Sequence, residues 1–419
     1  MRNSSPRIGR GGADSGCRSH GLTVSREMVT VHRQVIVVGA GIAGLWTLRR
    51  LLAAGYDAVL LEKEAIGAGQ TLGAQGILHG GVKYGLDGSN REIAEKLRSL
   101  PPIWLECLAG KREPSLAAAR TLSPCQHLWA ADSWLARVGA TVGARAMQGE
   151  VKKLAREDWP PALREGGHKG AVYELEETVI EVKSVLAALA GPVHDRILQA
   201  GIDEYEVDAA GGLMALQCGG VRLTAGVFLF TAATGNEAAA LAAGFGNAVT
   251  QRRPLKQVMV RGALPELFGH CVTATPKPVV TITSHPTGEG KVWYLGGGVA
   301  EDATGMTDEE AMRQARKKLS GIFPDFRWEG LEWACWKVDR AEPHAASRLP
   351  DGPALLERGN TALAWPTKLV YAPALADQAL EFTARHLTPG DMATDPIPLP
   401  LAGMGHYPWE TAAWRTLPS

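Results

Sequence analysis

Val35-Ile36-Val37-Val38-Gly39-Ala40-Gly41-Ile42-Ala43-Gly44 is a run of branched apolar residues that breaks into three glycines spaced G-x-G-x-x-G. Four consecutive β-branched residues without polar alternation fit a strand buried on both faces of a parallel sheet. Behind the glycines, Leu45, Leu48, Leu51 and Leu52 fall on one side of a predicted helix over residues 42–54, which Gly55 stops. A second buried strand over 58–61 is closed by Glu62. Together these make a βαβ unit of about 30 residues. In such a unit Gly39 permits the tight turn, Gly41 lets backbone approach a pyrophosphate, and Gly44 lets the helix pack on the strand. The pyrophosphate charge would rest on unpaired N–H groups at the helix N-terminus. Glu62, which is 62 − 39 = 23 residues past Gly39, is placed to accept hydrogen bonds from an adenosine ribose, and an acid there disfavours a 2′-phosphate.

The remaining composition bounds the function. A chain of 419 residues with 45% hydrophobic and 21% charged residues is an ordinary globular enzyme of two or three folding units. Lys+Arg and Asp+Glu both total 44, which argues against a nucleic-acid partner or a polybasic membrane anchor. The six cysteines are scattered with no C-x-x-C pair. Metal-ligand spacing is absent, so no metal is expected, and free thiols fit a reducing compartment. Residues 1–27 carry Arg2, Arg7, Arg10, Arg18 and Arg26 among Ser and Gly without an apolar h-region. That is no secretory signal; Asp14, Glu27 and the glycines weaken a transit-peptide reading, and a disordered extension upstream of a start at Met28 is preferred. No uninterrupted apolar run is long enough to predict a spanning helix. Peripheral membrane contact stays open, and cytoplasmic placement is expected from the missing export signals.

Further along, residues 67–84 read as a long Gly-rich loop, followed by a helix near 91–97. Residues 179–189 read as a helix, and 194–198, 205–209, 213–217 and 227–231 as strands. From Arg252 the pattern alternates as in an antiparallel sheet: 256–261, 279–284 and 291–295 are predicted strands, and 308–319 a helix capped by Thr307. Trp333 and Trp336 lie on a strand-like stretch over 328–338 and, with Trp365, are expected to pack in a core or sheet. A strand over 362–365, a helix over 373–386 and a Pro-rich extended arm beyond Pro389 complete the chain.

The βαβ unit alone does not choose between FAD and NAD. The stretch Gly69-Gln70-Thr71-Leu72-Gly73-Ala74-Gln75-Gly76-Ile77-Leu78-His79-Gly80-Gly81-Val82-Lys83-Tyr84 resembles the flavin-facing loop of the D-amino-acid oxidase-like FAD superfamily, especially members acting on glycerol 3-phosphate and L-2-hydroxyglutarate. Residues 228–235 resemble the family's late strand and small-residue turn, with Thr234 where an Ala is usual. Residues 340–351 are similar to its Arg-Pro…Asp-Gly segment, although Ala341-Glu342-Pro343 follows Arg340 here. Residues 367–377 resemble its closing stretch. The resemblance implies an α/β fold in which a Rossmann-type, glutathione-reductase-like FAD domain is interleaved with an antiparallel-sheet α+β substrate domain. The expected division is 1–33 disordered, 34–110, 176–250 and 345–390 FAD-binding, 111–175 and 251–344 substrate domain, and 391–419 the arm.

The same resemblance implies FAD against the turn (Gly39, Gly41, Ile42, Ala43, Gly44), the end of the second strand (Glu62, Lys63) and the loop (Thr71, Gln75, Gly76, His79). It adds Val207, then Ala233 and Gly235, and finally Thr367, Lys368 and Leu369. His79 is a candidate catalytic residue, since an imidazole pKa of about 6.5 suits a base; its alternative is a loop histidine bonded to backbone. Arg340 is a candidate clamp for a substrate carboxylate; its alternative is an ion pair with Glu342 or Asp339. Lys368 is a candidate for positive charge beside the flavin N1–C2=O edge, with an exposed lysine as the alternative, and Lys83 and Tyr84 are similar cases. The expected chemistry is hydride removal to flavin N5 from a C–H beside a hydroxyl, in a small 2-hydroxy acid or polyol phosphate, with reoxidation by dioxygen, a quinone or another carrier. Amino acids or secondary amines are the runner-up substrates. A flavin-binding protein without turnover is the reading from another class. A nicotinamide-binding protein is the third reading, and colour alone would discriminate it, since an FAD protein is yellow and an NAD protein is not.

Overall fold

The computed structural model describes residues 28–80, 97–130, 151–246, 249–273, 278–344 and 352–418. Residues 1–27, Lys83, Tyr84 and nearly all of the helix expected over 91–97 lie outside the described residues.

The run Val35-Ile36-Val37-Val38 is the buried end of a longer strand, Val29–Val38. On one side it pairs in parallel with Ala58–Glu62, and on the other with Val221–Phe230. Val35, Ile36 and Val37 are fully buried. Flanked on both edges and covered on both faces, these positions offer no polar side chain a route to water, so alternation is missing. Residues 29–33 were expected to belong to the disordered extension; instead they pair with residues 221–225. What hid this half of the strand is Arg33, a charge in a buried position, whose guanidinium lies 3.7 Å from the Asp57 carboxylate.

The complete parallel-type sheet has the order Ala354–Arg358, Thr361–Trp365, Val221–Phe230, Val29–Val38, Ala58–Glu62, Ile197–Gln199. Leu213–Cys218 and Glu204–Val207 fold back in antiparallel fashion along the first half of Val221–Phe230. The helices Ile42–Ala53 and Ala372–His386 pack against each other in the core on one face. Two expectations shift. Residues 191–196 form a 3-10 turn before the short strand Ile197–Gln199. The helix expected from 179 starts at Val182, because Val179–Ile180 pair with Thr121–Ser123 and the Glu181 carboxylate caps the helix by accepting the Ser184 N–H.

The second sheet runs Arg415–Thr416, Glu332–Pro343, Thr250–Gly262, Gly290–Gly296, Val280–Thr287, Gly269–Val272, Gln126–Ala130, Val172–Leu175, Val151–Lys153. It is antiparallel except where Gly269–Val272 meets Gln126–Ala130. The helix Asp308–Ile322 begins at Thr307 with a capping box to Glu310, the arrangement in which two orphan N-terminal groups satisfy each other.

The segment beyond Pro389 is extended but docked. Met404 bridges to Ile66 and Leu401 to Leu198, Tyr407 stacks on Trp409 at 4.2 Å, and both rings are buried. Large aromatics amid prolines mark a docked segment, since a free arm would leave them in water. The Tyr407 hydroxyl donates to Glu181 at 2.8 Å and accepts the Lys183 N–H at 2.8 Å. Tyr407→Phe is expected to lower stability by about 1–3 kcal/mol, the usual cost of stripping a buried group of its partner. An unchanged denaturant midpoint would show that this bond does not hold the tail. Burial pushes the Glu181 pKa up, but hydrogen bonds from Tyr407, Ser184 and Arg120 outweigh it and hold the carboxyl below its ordinary value. Its contribution is therefore present above the unfolded-state pKa and lost as pH falls through the folded one. The gap between wild type and Tyr407→Phe should narrow in acid.

Candidate active site

The glycine turn has the geometry its sequence requires. Gly39 has a φ of +102°, a region that L side chains avoid, and a Cβ on it would sit 2.7 Å from the Ala232 Cα. A Cβ on Gly44 would sit 1.9 Å from the Gly39 carbonyl oxygen, so the first helix lies on the turn with no room for a side chain. Gly41 is the N-cap residue of that helix, and a Cβ there would meet Thr71 Oγ1 at 3.0 Å and otherwise open cleft. Ile42 N–H donates to Thr71 Oγ1 at 3.2 Å. Glu62 accepts the N–H groups of Ala40 at 2.8 Å and Glu64 at 2.9 Å, which holds its carboxylate at the mouth of the turn.

From this point a cleft of about 1550 Å³ opens between the two sheets. It exceeds the roughly 300–1,000 Å³ of a small-ligand pocket, as a dinucleotide with a substrate beside it requires. Glu62 and Lys63 lie along it, as do Gly39, Gly41, Ile42 and Ala43, then Thr71, Gln75, Gly76 and His79. Ala233 and Gly235, Thr367, Lys368 and Leu369, and Arg340 complete the set that the sequence proposed. Gly44 packs behind the wall. Val207 is the exception: it is 41% exposed and outside the cleft, because its strand leads away into a turn at 208–212. Ile202 and Tyr205 line the cleft in its stead.

Two cleft residues have strained backbone. Ala233 and Thr367 have φ of 53° and 59°, the positive values among described non-glycine residues. For a β-branched residue such as Thr367 this costs about 1–3 kcal/mol. Its hydroxyl is bonded to the carbonyls of Gly352 at 2.9 Å and Pro366 at 2.7 Å. The bend brings Lys368 and Leu369, at the start of the 3-10 turn Leu369–Tyr371, into the cleft wall. Lys368 lies over the Tyr371 ring at 5.4 Å.

At the His79 end the sequence had missed most of the side chains. His79 Nδ1 is 3.2 Å from Glu177 Oε2, and Glu177 is 2% exposed. The same carboxylate accepts the Gly80 N–H at 2.9 Å and Gln126 Nε2 at 3.3 Å. An ionised carboxylate can only accept, so with Glu177 charged the bond calls for the His79 proton on Nδ1 and leaves Nε2 as the ring's acceptor. His270 lies alongside, ring centroids 5.9 Å apart, and its Nδ1 is 2.8 Å from Thr281 Oγ1. Arg340 is paired with neither Glu342 nor Asp339, which face Arg253 and Arg252; its Nη2 is 3.7 Å from Glu301, and both line the cleft. Trp333 is core, as expected, whereas Trp365 and Trp336 also line the cleft. Gly73 leaves room for the Trp336 ring, which a Cβ there would meet at 2.2 Å.

A long cleft, glycine-walled at one end, with backbone N–H groups at a helix start and an acid at the neighbouring strand tip, fits FAD. The family model for FAD dependent oxidoreductases (DAO) matches residues 34–366. The chain belongs to the DAO family. It is 37% identical over 383 residues to a probable FAD-dependent oxidoreductase, PA4991, of Pseudomonas aeruginosa, covering 90% of this chain and 97% of that protein. The crystal structure of that relative superposes with a TM-score of 0.78 at 34% identity, over 91% of this chain and 98% of that one. Glycine oxidase from Geobacillus kaustophilus shares the fold at 16% identity, with a TM-score of 0.61 over 88% of this chain and 98% of that one. L-alpha-glycerophosphate oxidase from Mycoplasma pneumoniae, with FAD bound, does so at 14% identity, with a TM-score of 0.63 over 90% of this chain and all of that one. This DAO-family chain is an FAD-dependent oxidoreductase, with a Rossmann-type FAD-binding part joined to a substrate part. No helix among the described residues is long and apolar enough to cross a membrane.

Proposed function

We propose that this DAO-family enzyme oxidises a C–H beside a hydroxyl in a small anionic substrate, a 2-hydroxy acid or polyol phosphate. The observation that carries the reading is the His79–Glu177 pair at the end of the cleft, 3.2 Å apart. A hydroxyl must surrender its proton as the hydride leaves, whereas a neutral amine can expel hydride on its own lone pair. A histidine whose tautomer is held by a buried carboxylate is suited to the first case.

In this reading the N–H groups at the start of the helix Ile42–Ala53 hold the FAD pyrophosphate, Glu62 the ribose, and the Thr367–Leu369 bend the flavin end. FAD, when bound, supplies the two-electron acceptor. His79 receives the substrate hydroxyl proton at Nε2. Glu177 keeps Nδ1 protonated and stabilises the imidazolium that forms. Arg340, 3.7 Å from Glu301 at the cleft wall, offers its fork to the carboxylate or phosphate. The strand Glu332–Pro343, carrying Arg340 and Trp336, forms the facing wall. Bound there, FAD would take up the hydride and pass its electrons on to dioxygen or a quinone.

The test is anaerobic mixing of the purified protein with hydroxy acids, polyol phosphates, amino acids and secondary amines. Loss of the yellow colour with the first two classes is expected. Bleaching by amines alone would transfer the assignment to amine oxidation, and bleaching by none to flavin binding without turnover. With the substrate so identified, His79→Gln is expected to cut kcat by about 10²–10⁴-fold with FAD retained. A kcat within threefold of wild type would remove His79 from the chemistry.

A further inference from the structure

No two cysteines have metal-ligand spacing, yet sheet pairing assembles a ligand set on the far strands of the second sheet. Cys125 and His127 are two residues apart in extended chain and so share a face. Glu174 stands directly across from His127 on Val172–Leu175. The ligand atoms of all three lie within 4.8 Å of one another, and Cys125 Sγ is 3.7 Å from Glu174 Oε2. All three side chains are half-buried, and none lines the cleft.

We infer that Cys125, His127 and Glu174 bind a divalent transition-metal ion, with Zn²⁺ the best match. The histidine is the decisive member. Its Nδ1 is 3.1 Å from the Phe268 carbonyl oxygen, which only accepts, so the proton is on Nδ1 and the lone pair on Nε2. Metal-ligating histidines are held by this outer bond, which fixes tautomer and ring orientation. The donors also match in kind: thiolate, imidazole and carboxylate select zinc over magnesium or calcium.

Geometry and charge agree with this. Zinc bonds of about 2.0–2.3 Å in a tetrahedron set ligand atoms roughly 3.3–3.7 Å apart. Cys125 and Glu174 are already at that spacing, and the 4.8 Å bound leaves His127 a shift of about 1.5 Å or less. The Cys125 thiol releases its proton to solvent as the Zn–S bond forms. Thiolate and carboxylate then neutralise the ion, with water in the fourth position. Lys152, across from Glu174 on the outer strand, is exposed and can turn away to solvent. The other candidate trio, His79, Glu177 and His270, is a weaker match, because Glu177 is already engaged by His79, Gly80 and Gln126.

The experiment is calorimetric titration of the untagged, FAD-loaded protein with Zn²⁺, with bound metal counted after dialysis. One zinc per chain is expected. Cys125→Ser and Glu174→Gln should each weaken binding by more than about 100-fold, beyond the ~10–100-fold lost with an outer-sphere partner, while FAD content stays unchanged. His270→Gln should leave zinc affinity unaltered. Binding undiminished in Cys125→Ser, binding abolished by His270→Gln, or no zinc retained by the wild-type chain would each overturn the assignment. Should a variant fold poorly, Co²⁺ added to wild type decides: a sulfur-to-cobalt charge-transfer band supports the site, and its absence counts against it.

Discussion

Gly41→Val is expected to purify as a folded but colourless protein. The glycine is the N-cap of the helix Ile42–Ala53, and a Cβ there would meet only Thr71 Oγ1 at 3.0 Å. The two further methyls of valine would therefore point into the cleft. They disturb little of the apo fold but occupy the space through which a pyrophosphate approaches the helix N-terminus. Because that contact involves two phosphate charges and several N–H groups, its loss should remove FAD altogether at micromolar concentration. The checks are the ratio of flavin to protein absorbance and the response to added FAD. A ligand at 100 times its Kd stabilises by about 2.7 kcal/mol, so added FAD should raise the melting temperature of stripped wild type and leave Gly41→Val unmoved. A yellow Gly41→Val with normal flavin content would contradict the assignment of the turn.

Gly44→Val should fail differently, by folding poorly whether or not FAD is supplied. Its Cβ would lie 1.9 Å from the Gly39 carbonyl oxygen and 2.6 Å from Thr231 Oγ1. Neither can yield: the carbonyl belongs to the turn, and Thr231 is tied to the Val38 and Gly39 carbonyls at 3.0 and 2.9 Å. Overpacking against movable side chains costs about 1–3 kcal/mol. Here the obstacle is backbone, so the helix must lift from the central strand, and the loss should consume much of a total stability of about 5–15 kcal/mol. Collapse of soluble yield is the expected reading. A well-folded variant that merely lacks flavin would show that Gly44 faces the cleft and not the helix–strand contact.

These two glycines also show why part of the site was legible in the sequence. A turn, a helix start and an acid within about 30 residues are fixed by local backbone geometry, so Gly39, Gly41, Gly44 and Glu62 could be assigned without tertiary information. Glu177 could not. It is 98 residues from His79 and sits in no pattern; what brings it in is the docking of the loop on the later segment, where Leu78 N–H donates to the Thr178 carbonyl and Ile77 bridges to Val179. Arg340 was found, but its partner Glu301 was not, since ion pairs are chosen by strand register and helix placement. Val207 was misplaced because the family pattern gives a position in the chain and not the direction in which a strand leaves the cleft. The opening half of the first strand was hidden by Arg33, whose charge is balanced by Asp57 across a chain bend. The docking of the tail was foreshadowed by Tyr407 and Trp409, but their receptor, around His285 and Tyr294, is a surface that only the folded sheet creates.

The most direct measurement is a crystal structure of the FAD-loaded protein, reduced and held with the hydroxy acid or polyol phosphate that bleaches it. The account predicts diphosphate density against the N–H groups of Gly41 and Ile42, the flavin between Gln75 and the Thr367–Leu369 bend, and the substrate with its hydroxyl on His79 Nε2 and its anionic group on Arg340. A substrate bound with its hydroxyl turned away from His79, or a flavin lying elsewhere in the cleft, would contradict it.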